Sequence, residues 1–348
     1  MRLELSAGVS FALAAALLFG ASTPVAKVLL GKVDPILLAG LLYLGSGSGL
    51  AFWWWLRSRL QRGDSQEASL QLSDLPWLAG AILAGGIVGP ILLMVGLALT
   101  PASSASLLLN LEGVFTAVIA WFVFKEHCDR RIVLGMVAIT AGGLLLSWTG
   151  QPELKVPWGA VAIVGACFAW GIDNNLTRKI ALGDPRQIAG VKGLIAGTVN
   201  LALAHVAGTN LPSFSVLAIA ALVGFLSYGV SLTLFILALR HIGTARTGAY
   251  FSVAPFIGAA LSILVLGERL TISFLAAAGL MGIGVWLHLT ERHEHEHRHE
   301  LLKHDHRHVH DEHHQHEHSE ESHSHSHWHQ EIWHSHSHYP DIHHRHGH

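Results

Sequence analysis

The sequence predicts an all-α polytopic membrane protein: ten transmembrane helices in two inverted five-helix repeats, followed by a disordered histidine-rich C-terminal tail. Three observations support this fold class. Apolar stretches of about 20 residues, the length that crosses about 30 Å of hydrocarbon, recur through residues 1–290. The two halves of that region echo each other, and 23 of the 27 histidines lie in residues 291–348.

Ten apolar windows are candidate helices, which we number as spans 1 to 10. Polar and proline residues punctuate them, as at Thr100-Pro101 and Asp184-Pro185. Proline just inside a helix start costs no hydrogen bond, and it pushes the residue before it out of the helical region. The predicted spans are 7–30, 35–56, 75–99, 102–124, 130–149, 157–180, 186–208, 213–239, 244–266 and 270–290.

The distribution of charge predicts the orientation. Residues 1–290 carry a net charge of +5, and the tail carries −7 when its histidines are neutral. If the N-terminus is cytoplasmic, the inner segments hold 12 Lys and Arg residues and the outer segments hold four. The positive-inside rule therefore predicts a multi-pass protein of the inner (plasma) membrane with both termini, and the tail, in the cytoplasm.

Sequence elements recur between the halves. The Asp34-Pro35 break after span 1 returns as Asp184-Pro185 after span 6. Each half has five spans, and an odd number means that the second copy enters the membrane from the opposite side. Inverted repeats of this kind favour a carrier whose site lies near the midplane. The predicted units are a first repeat over 7–149, a second over 157–290 and the tail over 291–348.

Two kinds of motif occur in both halves. They are Leu111-Glu112-Gly113-Val114-Phe115 with Lys125-Glu126 and Ala254-Pro255-Phe256 with Gly267-Glu268, and the repeat-opening segments Phe19-Gly20-Ala21-Ser22-Thr23-Pro24 and Ala169-Trp170-Gly171-Ile172-Asp173-Asn174. At these motifs the chain resembles the EamA-type drug/metabolite transporters. The resemblance covers both repeats, and it implies a ten-helix carrier for metabolites, amino acids, nucleotide sugars or drugs, working by exchange or with protons. Gly113 stands where the first repeat of the family usually has proline, and the tail lies outside the family pattern.

Ionisable residues inside the spans are candidates for a site, because a charge in hydrocarbon costs a few kcal/mol unless it has a partner, water or a function. Glu112, near the middle of span 4, reads either as a proton-coupling or amine-binding carboxylate or as a structural hydrogen-bond acceptor. Lys192 on span 7 reads either as a group that neutralises an anionic solute or as the partner of Asp173 on span 6. Asn174 and Asn175 follow Asp173 on span 6. Three adjacent polar side chains point around the helix, so at least one of them should face a cavity.

Two further polar residues match roughly between the repeats. Asn110 and Tyr250 read equally well as hydrogen-bond donors to a solute and as ordinary packing polarity. The predicted substrate or coupling-ion cavity therefore contains Glu112, Asp173, Asn174, Asn175, Lys192, Asn110 and Tyr250.

The tail predicts metal binding. It is polar, repetitive and nearly devoid of aliphatic residues, so it cannot bury a core. Neutral imidazole suits Ni²⁺, Co²⁺, Zn²⁺ and Cu²⁺, and binding should weaken as pH falls. The predicted ligands are His293, His295, His297, His299, His304, His306, His308, His323, His325 and His327.

Three functions stay open. The favoured hypothesis is a secondary exporter of a divalent transition metal or its complex, with the tail as a cytoplasmic collector. The alternatives are an exporter of an organic metabolite, amino acid or drug with a regulatory or incidental tail, and a membrane-anchored metal buffer or sensor. The spans show no nucleophile–base or catalytic-metal spacing, so we do not expect an enzyme. We expect no required cofactor, and we expect the tail to bind a divalent transition metal (Ni, Co, Zn or Cu). The expected partners are the bilayer and a small solute or metal ion, with no nucleic acid and with a homodimer left open.

Overall fold

A computed structural model gives the arrangement of the spans. The structure describes residues 7–60, 70–124, 130–147, 157–180, 183–290, 294–298, 303–308, 323–328 and 333–337. Residues outside these ranges include the Lys125-Glu126 motif and the tail histidines His293 and His299.

Thirteen α-helices occur in the described residues, with two π-helical segments and one 3₁₀ turn, Leu72–Asp74. The helices are α1 Ala7–Leu30, α2 Pro35–Leu60, α3 Leu75–Ala81, α4 Gly89–Leu99, α5 Ala102–Leu108, α6 Leu111–Phe124, α7 Arg130–Ser147, α8 Trp158–Ile180, α9 Pro185–Val206, α10 Phe214–Val223, α11 Ser231–Phe251, α12 Ala254–Leu266 and α13 Ile272–Leu289. The first π-helical segment, Ile82–Val88, joins α3 to α4, and the second, Gly224–Val230, joins α10 to α11.

Seven helical stretches in the described chain are long and apolar enough to cross a membrane, and α12 and α13 are shorter apolar helices. Helix α8 has 23 residues, but its polar triplet Asp173-Asn174-Asn175 makes it less apolar than the others. The seven are Ala7–Leu30, Pro35–Trp53, Leu72–Leu99, Ala102–Phe124, Arg130–Ser147, Pro185–Val206 and Phe214–Leu239. The predicted all-α polytopic fold is confirmed.

Helix packing follows the pseudo-two-fold relation between the repeats. Helix α1 packs against α11 and α12, and its counterpart α8 packs against α4 and α6. The first span of each repeat therefore lies against the third and fourth spans of the other repeat. Two further extensive contacts, α2 with α9 and α7 with α13, each join one helix to its own counterpart. The repeats thus interlock, and the interface between them runs through the centre of the molecule.

Helices α2 and α9 approach closely at this interface because glycine faces glycine. A Cβ added to Gly47 would lie 2.3 Å from the backbone nitrogen of Leu194, and one added to Gly193 would lie 2.6 Å from the backbone nitrogen of Gly47. Such distances are shorter than any van der Waals contact. Small residues let membrane helices meet backbone to backbone, and here they bring Lys192, the neighbour of Gly193 on α9, into the interior of the bundle.

The helices differ from the predicted spans in three places. Span 4 is broken at Leu109–Asn110, between α5 and α6, and span 9 is broken at the equivalent place, Ser252–Val253, between α11 and α12. In the second repeat the predicted connection between spans 8 and 9 is part of α11, which runs from Ser231 to Phe251. This helix is bent back on itself, because the rings of Phe235 and Phe251 lie 4.9 Å apart, whereas a straight helix would separate them by about 24 Å. The first repeat has Pro101 at its corresponding turn; the second has no proline in 240–246.

The described parts of the tail form two antiparallel pairs of short strands. Strand β1 (Glu294–Arg298) pairs with β4 (Trp333–Ser337), and β2 (Lys303–His308) pairs with β3 (His323–Trp328). The sequence predicts a disordered tail, and the structure differs in these four strands. Their alternation of histidine with other residues has the two-residue period of a strand. The register sets histidine opposite histidine, as at His295 with His336.

Candidate functional site

A cavity of about 550 Å³, including its mouth, lies at the interface between the repeats. Helices α1, α2 and α6 supply its walls from the first repeat, and α8, α9, the second π-helical segment and α11 supply them from the second. The lining residues are Phe19, Tyr43, Glu112, Trp170, Asp173, Asn174, Lys192, Ser227, Tyr228, Ser231, Leu232, Phe235 and Phe251.

Glu112 enters this cavity from the first turn of α6, just after the break in span 4. Its Oε1 accepts a hydrogen bond of 2.8 Å from Nδ2 of Asn174, which also donates to Oγ1 of Thr116 at 3.2 Å. A carboxylate is favoured at this place because the N-terminus of a helix carries partial positive charge. The side chain is half-buried. The break in span 4 therefore sets a carboxylate on the cavity wall.

Asp173 of α8 and Lys192 of α9 form a buried ion pair beside Glu112. The two residues are 5% and 3% exposed, and Thr177 donates a further hydrogen bond of 2.9 Å to Oδ1 of Asp173. A charge so deeply buried is stable only when it is paired and hydrogen-bonded. The charged residues predicted on spans 6 and 7 thus pair with each other. The ion pair contributes no net charge to the cavity.

The first π-helical segment supports this polar centre from behind. The carbonyl oxygen of Gly85 accepts hydrogen bonds from the Tyr43 hydroxyl at 2.7 Å and from Nε1 of Trp170 at 3.0 Å. The wider turn of a π-helix shifts backbone groups out of the normal ladder, so side chains can bond to them. A Cβ on Gly85 would lie 1.9 Å from Oδ2 of Asp173. Only glycine lets the backbone come so near the ion pair.

The second π-helical segment forms the opposite wall. It begins 142 residues after the first, the spacing that also separates Gly113 from Pro255. Ser227 and Tyr228 of this segment line the cavity. The two repeats therefore carry the same local distortion at equivalent places, and both distortions lie next to the cavity.

Six aromatic rings form a connected wall around the polar centre, with Phe19 as their hub. Its ring lies 6.1 Å from the ring of Trp170 and 5.7 Å from that of Tyr228, both edge-on, and 5.6 Å from that of Phe251. Edge-on arrangements are the favourable ones for aromatic pairs. The six rings are those of Phe19, Tyr43, Trp170, Tyr228, Phe235 and Phe251.

The structure brings together four of the seven residues predicted for the cavity: Glu112, Asp173, Asn174 and Lys192. The other three lie elsewhere. Asn175 is buried and donates to the backbone oxygens of Thr116 and Gly171. Asn110 is buried against Met281 of α13, and Tyr250 is half-buried outside the lining. The spacing of 142 residues between the repeats pairs Asn110 with Ser252, two residues from Tyr250.

The aromatic wall was not predicted from the sequence. Phe19 and Trp170 fall in the two motifs that open the repeats, and this position is the one signal that could have marked them. The remaining four rings lie in apolar stretches, where an aromatic residue is as typical of packing as of a site.

Among the residues that the structure describes, no three His, Cys, Asp or Glu side chains gather closely enough to share an ion. The predicted ligands His295 and His297 lie in β1, His304, His306 and His308 in β2, and His323, His325 and His327 in β3. His293 and His299 lie outside the described residues.

Away from the cavity, two charged side chains cap the turn between α4 and α5. Both carboxylate oxygens of Glu268 accept from the first backbone amides of α5, from Ala102 at 2.7 Å and from Ser103 at 2.8 Å. Nζ of Lys27 donates to carbonyl oxygens at the end of α4, including that of Leu97 at 2.6 Å. Each cap joins one element to another that is distant in sequence, and each sign suits the helix end that it meets.

Comparison with known proteins agrees with this architecture. An uncharacterized transporter of Methanothermobacter thermautotrophicus is 28% identical over 274 residues, 74% of this chain and 79% of that protein. A probable amino-acid metabolite efflux pump of Salmonella typhimurium is 27% identical over 54% of this chain and 68% of its own length. A solved crystal structure, 19% identical, has the same fold, with a TM-score of 0.61 over 81% of this chain and 95% of that one.

The model of the EamA-like transporter family matches the chain twice, over residues 6–148 and 157–290. The two matches cover the two halves that the helix packing relates by pseudo-symmetry. Together they span most of the chain and leave the first five residues, the short connection between the halves and the tail. The protein is a multi-pass membrane transporter for a small solute, and it belongs to the EamA-like transporter family.

Proposed function

We propose that the protein is a secondary carrier that exports a small organic solute through the cavity between its two repeats. One observation carries the proposal: charged and aromatic groups from both repeats converge on one space at their interface. A site that both repeats share can open to one face of the membrane and then to the other as the repeats move. Neither repeat alone holds the whole lining.

The packing of the helices supports movement of this kind. The first span of each repeat lies against the other repeat, so a rotation about the interface displaces both walls together. The two π-helical segments stand at equivalent positions beside the cavity, and π-helical turns are places where a helix can bend. Closure of the cavity on one face then accompanies opening on the other.

Export, driven by a gradient, fits two further facts. One relative at 27% identity bears the name of an efflux pump. The sequence contains no phosphate-binding loop of the kind that primary pumps need. The proposed orientation places both termini in the cytoplasm and rests on the 12 inner and four outer basic residues.

Alternating access can be tested without knowing the solute. We expect a cysteine in place of Leu232, which is half-buried in the cavity wall, to react with an impermeant thiol reagent added to either face of sealed vesicles. The variant is made after Cys128→Ser and Cys167→Ala. Ser213→Cys, on the exposed connection before α10, is the control and should react from the outer face alone.

A cavity that is sealed permanently on one side would give labelling from one face only, and the carrier proposal would then fail. An open pore would also admit reagent from both faces. It would be recognised because the vesicles would leak a small fluorescent anion.

A transition-metal cargo is the second candidate, and the composition of the tail favours it. Its histidines can gather Ni²⁺, Co²⁺ or Zn²⁺, and the register of β2 and β3 sets His304 opposite His327 and His306 opposite His325. The cavity lining contains no His, Cys or Met, so we rank this cargo below an organic solute.

Flux of Ni²⁺, Co²⁺ and Zn²⁺ in vesicles tests the second candidate. The comparison uses the intact protein, a chain ending at Thr290 and Glu112→Gln. If the intact protein moves no metal, the metal cargo is excluded. If the shortened chain moves metal as fast as the intact one, the tail is no collector. If Glu112→Gln does not change the metal taken up by the vesicles, while removal of the tail abolishes that uptake, the protein is a membrane-anchored buffer.

A further inference from the structure

We infer that the solute is an organic monocation with an aromatic or bulky apolar body, and that Glu112 is its counter-ion. The inference rests on the proposed carrier function, because it names the substrate class of the same cavity. Three features of the described lining support it: its net charge, the ion pair that occupies the ammonium group of Lys192, and its aromatic wall.

The charge of the cavity comes from Glu112. Asp173 and Lys192 neutralise each other, which leaves one carboxylate over. No Lys, Arg or His nitrogen of the described residues lies within 4 Å of the Glu112 carboxylate. Its printed side-chain partner is the neutral amide of Asn174. A carboxylate on a cavity wall that no cationic side chain neutralises is complementary to a cation.

The ion pair argues against a zwitterion such as an amino acid. A zwitterion needs a cationic group for its carboxylate as well as an anionic group for its amine. Lys192 is the only Lys, Arg or His in the described lining, it is 3% exposed, and its ammonium is bound to Asp173. Releasing it would leave Asp173 buried without a partner, which is strongly unfavourable.

The aromatic wall fits the body of such a solute. The faces of Trp, Tyr and Phe rings carry partial negative charge and attract cations, including quaternary ammonium groups that cannot donate a hydrogen bond. Phe19 contacts three of the other rings, and the rings of Tyr43 and Tyr228 are 5.4 Å apart. The same rings bury an apolar body.

A bare transition-metal ion fits this cavity poorly. Its preferred ligands, imidazole, thiolate and thioether groups, do not occur in the described lining. Of the two carboxylates, the one on Asp173 is already occupied by Lys192 and Thr177. One carboxylate remains, which is too few ligands for a divalent ion but enough for a single positive charge.

The test is binding of radiolabelled benzyltrimethylammonium to the full-length protein in lipid nanodiscs. This probe has a fixed positive charge, an aromatic body and no exchangeable proton. We expect saturable binding that weakens about 30-fold or more in Glu112→Gln, because removing one partner of a desolvated charge pair has an effect of that size. Gln keeps an acceptor for Asn174, so the wall stays intact.

Two comparisons separate the charge from the body. Phe19→Leu should weaken binding roughly threefold to tenfold, the range of a cation–π contact. Phenylalanine, with the same ring and a zwitterionic charge, and Ni²⁺ should each displace the probe poorly. Unfolding temperatures of the variants, measured in the same nanodiscs, show that each remains folded.

Equal binding by Glu112→Gln and the unchanged protein, stronger displacement by phenylalanine or Ni²⁺, or no saturable binding at all would each overturn the inference. Failure here is distinct from failure of the carrier. If Leu232→Cys is labelled from both faces and the cation does not bind, the carrier stands and the substrate class is wrong. If the cation binds and labelling comes from one face only, the cavity binds cations without carrying them.

Discussion

At the scale of single residues, the cost of burying charge explains both what the sequence predicted and what it missed. Glu112, Asp173 and Lys192 were recognised because an ionisable group in hydrocarbon needs a reason to be there. Their partners in space were beyond the sequence, since Asp173 meets Lys192 only through the packing of α8 on α9. The aromatic rings of the cavity were missed because burial in a membrane protein gives a ring no distinctive neighbour in sequence.

The buried pair leads to a prediction on stability. Lys192→Met should lower the free energy of unfolding by about 3–5 kcal/mol, because it leaves Asp173 charged and alone. Adding Asp173→Asn should recover most of that loss, since no uncompensated charge remains. Unfolding of the three proteins in detergent, followed by circular dichroism, gives the comparison.

The control is the more exposed pair on the same helix. Arg186 lies 3.1 Å from Asp184 at the start of α9, and its side chain is 23% exposed. Arg186→Met should cost no more than about 1 kcal/mol. Equal losses at Lys192 and Arg186 would show that burial does not set the value of the inner pair.

At the scale of elements, hydropathy predicted where helices lie, and it could not predict their distortions. A π-helical turn and an α-helical turn have the same apolar composition, so the segments at Ile82–Val88 and Gly224–Val230 left no mark in the pattern. The break in span 4 also gives no signal in the hydropathy pattern, because Leu109 and Asn110 lie in an apolar window. The second π-helical segment lines the cavity, the first supports its polar centre from behind, and the break in span 4 places Glu112 on its wall.

Gly85 tests the role of the first π-helical segment. Gly85→Ala would place its new methyl group 1.9 Å from Oδ2 of Asp173, so the ion pair or the helix must move. We expect a loss of stability of about 1–3 kcal/mol and weaker binding in the cavity. Gly113→Ala is the matched control, because nothing lies within 4 Å of its added methyl group. Alanine should be neutral or slightly stabilising there, since it is the better helix former.

Glu268 tests the turn between α4 and α5. Glu268→Ala removes both acceptors from the amides of Ala102 and Ser103, and we expect it to lower stability by about 1–3 kcal/mol. Glu268→Gln keeps one acceptor oxygen and should lose less. An alanine variant that unfolds at the same temperature as the unchanged protein would show that water replaces this cap without cost.

At the scale of the whole molecule, the repeat predicted the architecture. The odd number of spans in each half requires inversion, and the packing of α1 and α8 against opposite repeats follows from it. The sequence motifs could not show where the interface between the repeats opens into a cavity. The position of the cavity depends on the glycines of α2 and α9 and on the π-helical segments.

The tail is predicted to act independently of the body. Its described strands pair with one another, β1 with β4 and β2 with β3. A chain ending at Thr290 should therefore unfold within about 0.5 kcal/mol of the full chain and keep its binding in the cavity, while losing most of its capacity for Ni²⁺. That capacity, measured by titration calorimetry on the full chain, should fall as pH drops below about 6.5, because binding needs neutral imidazole. A large loss of body stability on truncation would contradict this independence.

The most direct test of the carrier is sequential labelling of Leu232→Cys in sealed vesicles. The cysteine is first blocked from the outer face with a non-fluorescent reagent, and a fluorescent reagent is then applied to the inner face. The account predicts that blocking from outside abolishes labelling from inside, because the same cavity residue is reached from both faces in turn. Undiminished labelling from inside after complete reaction outside would contradict it.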